Sequence, residues 1–227
     1  LYNTYSIGSD PNGNTTAGQG KTKYDADVRS ELITSWEAGA ELKFFNNRLG
    51  VDFAWYKTNA KRQLMNIPLN NLSGYDNMKV NAGNIQNTGN EIMLNARPIE
   101  TTQFSWDTQL NFSQNKSKII ELLPGKPGMQ YALGGSDALQ VYAVAGGAYG
   151  EIWGTKYQRV EEGEFKGQLL LNESGLPQAT SDKHKIGEQQ PDFLLGWTNT
   201  FNYKNFTLSF LIDGRFGGDI FSFTNMN

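Results

Sequence analysis

Few side chains in this chain are suited to chemistry, and those few are scattered. There is one histidine, His184, in the polar run SDKHKIGE, and there is no cysteine. No G-x-S-x-G elbow presents a serine for that histidine to activate. The lack of Cys removes disulfides and thiolate metal sites, and no spacing marks the paired carboxylates of a glycan-cleaving site. Asp10-Pro11-Asn12-Gly13-Asn14 starts like a calcium loop. However, Thr15 stands where the sharp turn needs glycine, and Lys21 where a bidentate glutamate belongs, so the run reads as an Asx-rich turn. Gly214, Gly217 and Gly218 follow an extended run without the strand-to-helix context of a phosphate loop. They read as a strand exit. The sequence therefore predicts no catalytic, cofactor-binding or metal-binding residues, and a protein that is not an enzyme.

What remains is binding. Tyr131, Tyr142, Tyr149, Trp153 and Tyr157 are interleaved with glycine in a long polar stretch. Exposed aromatics stack on sugar faces or peptide side chains and anchor protein interfaces. The competing reading is that they pack a small core of their own. Glu161, Glu162 and Glu164 beside Gly163 suit a solvated hairpin tip.

The elements that would carry these residues repeat three times as strand, tight turn, strand. In Glu31–Thr58, Trp36, Ala38, Ala40, Leu42 and Phe44 alternate with Glu37, Gly39, Glu41 and Lys43, and Val51, Phe53 and Trp55 with Asp52, Ala54 and Tyr56. The second unit, Asn90–Ser113, sets Ile92, Leu94, Trp106, Leu110 and Phe112 against Glu91, Arg97, Asp107 and Gln109. The third, Asp192–Arg215, sets Trp197, Phe206, Leu208, Phe210 and Ile212 against Thr207, Ser209 and Asp213. A period of two puts each set on its own face. One face is apolar and aromatic: Leu42, Phe53, Trp55, Leu94, Trp106, Leu110, Phe206, Leu208 and Phe210. The other is polar: Glu37, Glu41, Lys43, Asp52, Glu91, Arg97, Asp107, Gln109 and Asp213. Each strand is expected to run roughly 10–12 residues, near the membrane-crossing length of a tilted strand. The links between units, about 59–89 and 114–191, are expected to be long loops. Helix is expected only as a short turn near 118–122.

The chain has 227 residues, enough for one large β domain or two small ones. No apolar run approaches the ~20 residues of a membrane helix, and the mean hydropathy of -0.54 excludes helix bundles in lipid. Barrels escape that test because half of each strand is polar. A net charge of -3 supplies no basic stripe for nucleic acid. The start, LYNTYSIGSDPNGN, has neither the basic nor the apolar region of a secretory signal. An exported protein has then lost its signal, or the chain is an internal piece. Pattern alone leaves two architectures open. In a membrane barrel the apolar face meets lipid and the charged face lines a wet lumen. In a soluble secreted β-sandwich that binds carbohydrate, Phe53, Trp55, Leu94, Trp106, Leu110, Phe206, Leu208 and Phe210 are buried against a second sheet.

The runs SWEAGAELKFFNNRLGVDFAWYKTN, VNAGNIQNTGNEIMLNARPI with its partner FSWDTQLNFSQNKSKI, and GEQQPDFLLGWTNTFNYKNFTLSFLIDGRFGGDIFS resemble the barrel of SusC/RagA-type TonB-dependent transporters. The resemblance covers most of the chain outside the first thirty residues and the region around 125–185. It implies an all-β fold, an antiparallel transmembrane β-barrel segment of about six strands from a roughly 22-stranded barrel with a plugged lumen. It also implies long extracellular loops: 1–30 as one loop, and 31–227 as barrel with a large loop at about 117–190. The implied activity is TonB-dependent import of an oligosaccharide or oligopeptide across the outer membrane of a Gram-negative bacterium. The implied partners are a SusD-like surface lipoprotein, the TonB complex, which acts through parts of the protein not seen here, and outer-membrane lipid. The run Phe221–Asn227 reads as the inside of a loop rather than a terminal barrel strand.

Overall fold

Six antiparallel strands form one continuous wall, and a smaller sheet stands on one end of it. The computed structural model describes residues 4–136 and 139–222, so the end of the Phe221–Asn227 run lies outside the described residues. The strands are β1 (Tyr5–Ser9), β2 (Thr15–Gln19), β3 (Thr22–Tyr24), β4 (Leu32–Phe44), β5 (Leu49–Pro68), β6 (Asn77–Glu100), β7 (Phe104–Glu121), β8 (Gln130–Gly135), β9 (Leu139–Val144), β10 (Tyr149–Gly154), β11 (His184–Glu188), β12 (Phe193–Tyr203) and β13 (Phe206–Phe216). The wall runs β13-β12-β7-β6-β5-β4, with β3 added in parallel to β6. The smaller sheet is β11-β10-β9-β8, and β1-β2 is a separate hairpin.

One end of the wall closes in short turns. Phe45, Asn46 and Asn47 all take positive φ (53°, 55° and 66°) to turn β4 into β5. Asparagine tolerates this left-handed region well. The turns are tied to one another. The Arg97 N–H donates to the Arg48 carbonyl at 2.8 Å, and the Lys204 N–H to the Gln103 carbonyl at 2.9 Å. The Arg48 guanidinium donates to the carbonyls of Arg97 and Pro98 at 3.2 and 3.0 Å. Pro98, which has no N–H to give a ladder, lies where the β6–β7 register shifts between Ala96 and Ile99.

The other end departs from the sequence expectations. The expected links at 59–89 and 114–191 are partly strand: β5, β6 and β7 run 20, 24 and 18 residues, well beyond the 10–12 expected. Only residues 69–76 separate β5 from β6, with one 3-10 turn at Asn71–Ser73. The expected helical turn near 118–122 is instead the end of β7, because its edge finds backbone partners. The Ile119 N–H donates to the Gly147 carbonyl at 2.9 Å, and the Gly146 N–H returns to Ile119 at 2.8 Å. This covers an edge left open where β12 stops pairing at Ser113.

Above the hairpins, Met65, Val80, Ala82, Ile119, Leu122 and Ala143 form the principal buried cluster, with Ile119 fully buried. Ile85 and Ile119 pair with each other, and Ile85 pairs with Ala60, in the row that carries the charged face lower down. The outer sheet therefore leans toward the charged side of the wall. The sandwich expectation fails. No second sheet covers the apolar face among the described residues, and none of the eight residues it required is buried. Phe206 is 78% and Leu208 62% exposed.

Candidate functional site

Register decides which side chains share a face. Asp52 opposes Glu41 and Met93, Ala54 opposes Glu91, Asn111 opposes Met93, Gln109 opposes Thr198, Asp107 opposes Thr200, and Asp213 opposes Gly196. Directly opposed residues in an antiparallel pair point the same way. Glu37, Glu41, Lys43, Asp52, Glu91, Asp107, Gln109 and Asp213 therefore lie on one face, and Arg97 reaches Asp107 on that face at 2.6 Å. By the same rule Leu42, Phe53, Trp55, Leu94, Trp106, Leu110, Phe206, Leu208 and Phe210 lie together on the other face.

The charged face is partly self-neutralised. Lys43 sits 2.7 Å from Glu41, which otherwise faces Asp52 as a like charge. Arg97 bridges Asp107 and, at 3.0 Å, Glu100. Gln109 donates to Asn111 at 3.1 Å. Among the described residues Asp52, Glu91 and Asp213 have no ion-pair partner. They line a depression of about 620 Å³ with Met93, Leu194 and Leu211. Nothing local in the sequence shows that these leucines and the carboxylates share one hollow. The Tyr56 ring lies across Gly89, its cross-strand partner, where a Cβ would sit. The Tyr56 hydroxyl donates to Asn115 on the next strand at 3.3 Å.

The apolar face carries two aromatic groups. Toward the short turns, Phe201 stacks on Trp106 (5.7 Å), Phe210 (6.2 Å) and Phe104 (6.4 Å). Toward the other end, Phe193 stacks on Phe216 (4.6 Å) and meets Phe112 (5.5 Å).

The outer sheet separates the five loop aromatics. Tyr142 and Trp153 meet edge to face at 6.1 Å, and Tyr131 packs against the buried cluster. Tyr149 is 40% and Tyr157 62% exposed. At the centre of this sheet Glu151 is only 5% exposed. It accepts from Lys185 at 3.0 Å, from the Trp153 indole at 3.0 Å and from the Ala148 N–H at 3.2 Å. Burial pushes its carboxyl up, but these three donors outweigh burial and hold it below the usual carboxylate range. Lys185 is pulled down by burial and raised above its ordinary value by Glu151 and Glu188. Beyond β10 the chain closes on itself. The Gln158 N–H donates to the Gln178 carbonyl, that of Gln178 to Leu170, and that of Leu170 to Gln158, at 2.8–2.9 Å. Between this tip and β11 lies a groove of about 1160 Å³ lined by Lys156, Tyr157, Arg159, Glu161, His184 and Ile186. Of the five aromatics, Tyr157 is the one that lines it. The Asp10 carboxylate accepts the N–H groups of Asn12 and Asn14, as an Asx turn requires.

No family profile matches the chain. It is 29% identical over 214 residues to TonB-dependent receptor P3 of Formosa agariphila, covering 87% of this chain and 21% of that protein. It is also 29% identical over 213 residues to TonB-dependent receptor SusC of Bacteroides thetaiotaomicron, covering 88% and 21%. The wall superposes on the RagAB peptide transporter with a TM-score of 0.71 at 18% identity, covering 93% of this chain and 24% of that one. The fold is that of a barrel segment of the RagAB transporter. The same segment superposes on the RagAB peptide importer in its open-open state with a TM-score of 0.74 at 16% identity, covering 96% and 24%. The segment spans about a fifth of the length of the curated relatives it matches.

Proposed function

We propose that the intact protein imports an oligosaccharide or oligopeptide across the outer membrane of a Gram-negative bacterium, energised through the TonB complex and served by a SusD-like surface lipoprotein. In this reading the segment is wall and mouth. The apolar row led by Phe53, Leu94 and Leu208 meets lipid, and the row of Glu37, Asp52, Glu91, Arg97 and Asp213 lines the lumen. The short turns lie in the periplasm, and the outer sheet leans inward over the opening. Tyr149 and Tyr157 are the loop aromatics free to meet a ligand or the lipoprotein.

The single observation that carries the reading is the separation of faces. One register over six strands gathers Leu42, Phe53, Trp55, Leu94, Trp106, Leu110, Phe206, Leu208 and Phe210 on one side and Glu37, Glu41, Lys43, Asp52, Glu91, Asp107 and Asp213 on the other. The spacing of the aromatic groups agrees. Phe193 to Phe201 spans about 26 Å of strand at ~3.3 Å per residue. At a tilt of 35–45° this projects to about 19–22 Å, close to the ~25 Å apolar band of outer-membrane barrels and its flanking girdles.

The test is substitution in the full-length protein. Phe53→Arg, Leu94→Arg or Leu208→Arg should cost roughly 2–4 kcal/mol of membrane-folded stability, as a midplane lipid-facing charge does. Gln109→Arg, on the lumen side, should be far milder. Equal damage at both sets would sink the assignment.

A further inference from the structure

Three of the wall's strand pairs are set by short turns: β4–β5, β6–β7 and β12–β13. The β7–β12 seam is different. Everything from Leu122 to Asp192 lies between these strands, so no turn fixes their register. The apolar pattern does not fix it either. A slip of two residues keeps every side chain on its own face, and that face is apolar along both strands.

At the middle of this seam sit the polar side chains of its lipid-side row. Thr108 and Asn199 are direct partners. Trp106, on β7, donates its indole N–H diagonally to Asn199 Oδ1 at 2.9 Å. Trp197, on β12, donates diagonally the other way to Thr108 Oγ1 at 2.8 Å. Thr108 in turn donates to the Thr198 carbonyl at 3.3 Å. Asn199 is 1% exposed, and its Nδ2 has no hydrogen-bond partner among the described residues. An amide placed this way weakens the wall, so its use lies in something other than stability.

We propose that Trp106, Thr108, Trp197 and Asn199 select the register of β7 against β12 and so fix the stagger at which the large outer sheet re-enters the barrel. In the native register each indole N–H finds an oxygen within the seam. A two-residue slip one way sets Thr108 opposite Phe201 and carries both acceptors out of reach of the indoles; a slip the other way sets Trp106 directly opposite Asn199 and Trp197 directly opposite Thr108, replacing the diagonal approach of each indole by a head-on one. Apolar surroundings supply no replacement partner. That penalty rests on the lipid-facing reading above. The experiment below reads register directly, whatever medium covers the face.

The chain has no cysteine, which suits disulfide mapping in the full-length, membrane-assembled protein. Reporter pairs belong on the opposite face: Q109C with T198C reports the native register, and Q109C with T200C or G196C reports a slip. Direct partners bridge readily, whereas diagonal ones stand too far apart. In the otherwise unaltered wall only the native pair should cross-link. In W106F/T108V/W197F/N199L, which is apolar throughout, the slipped pairs should gain at least about tenfold in yield while the barrel still assembles. The transposed variant T108N/N199T, which keeps an oxygen for each indole, should return to the native pattern. Three results would overturn the proposal: native-only cross-linking in the apolar variant, slipping in the transposed one, or failure of the apolar variant to assemble. The last would mean that these groups hold the seam together rather than choose its register.

Discussion

Glu151→Gln is the most discriminating change in the outer sheet. The carboxylate receives three donors from three directions: Lys185, the Trp153 indole and the Ala148 N–H. A glutamine can offer its oxygen to Lys185 and Ala148, but its NH₂ then faces the indole N–H, donor against donor. One charge-assisted bond is lost and another becomes ordinary. With charged bonds worth ~1.5–3 kcal/mol and neutral ones ~1, the local cost is about 2–3 kcal/mol. It stays below the ~3–5 of a wholly buried broken pair, because the Lys185 side chain is 42% exposed and keeps Glu188 at 3.2 Å. At 1.4 kcal/mol per factor of ten, amides of 139–154 and 184–188 should exchange about 30- to 150-fold faster by local opening. Hydrogen exchange on the full-length protein in detergent reads this, with 193–216 as the internal control. The reasoning fails if the sheet keeps its protection, or if the wall loses as much as the sheet. The sign of the pH effect follows from the same contacts. The Glu151 carboxyl lies below its ordinary value in the fold. Its contribution is therefore present above the unfolded glutamate value of about 4.3 and is lost as pH falls through the folded value. Lys185 is raised, so its share is present at neutral pH and is lost only as pH rises through its folded value.

Other outcomes follow from the same geometry. Gly89→Ala should destabilise the assembled barrel by about 1–3 kcal/mol, read as a lower melting temperature, because the Tyr56 ring occupies the Cβ position. Tyr56→Ala should restore only part of that loss, since the Gln114 carbonyl, 2.7 Å from the same point, is backbone and cannot yield. Trp153→Phe should keep the edge contact with Tyr142 but drop the bond to Glu151, loosening the outer sheet by about 1 kcal/mol in the same exchange measurement. Gly217→Ala should cost about 1 kcal/mol or more, because φ there is +70° and Asp192 packs against the would-be Cβ.

The wall was legible where one face is apolar. Trp36–Phe44, Val51–Trp55 and Phe206–Ile212 alternate cleanly because each strand there presents one apolar and one polar face. The reading fails at Asn59–Pro68 and Asn77–Gly89, which are continuous strand where a loop is expected. In KTNAKRQLMNIP no face is consistently apolar, so the period of two disappears while the backbone ladder goes on. The left-handed pair Arg62 and Gly83, with φ of 58° and 85°, interrupts that stretch as well. The buried Met65–Val80–Ala82 cluster depends on a partner sheet more than forty positions downstream of Val80, which no local window contains. The Trp106–Asn199 contact was hidden for the same reason: each residue reads as an ordinary strand position until the seam is formed. Among the loop aromatics no local signal separates Tyr142 and Trp153, which pack on each other, from Tyr149 and Tyr157, which stay exposed.

The overhang of β5, β6 and β7 beyond their neighbours is itself a cantilever rather than a flap. Its root is the wall's own backbone ladder, from Leu49–Ala96 out to Pro68–Asn77, with a single interruption at Arg62. Swinging it would mean breaking rungs one after another, so a load applied at the mouth is carried down the beam into the staves below. Free travel is left to stretches that have no rungs on the wall: the β1–β2 hairpin and the self-closed tip from Lys156 to Thr180. A force applied at this end of the wall would meet a stiff rim with two loose fingers.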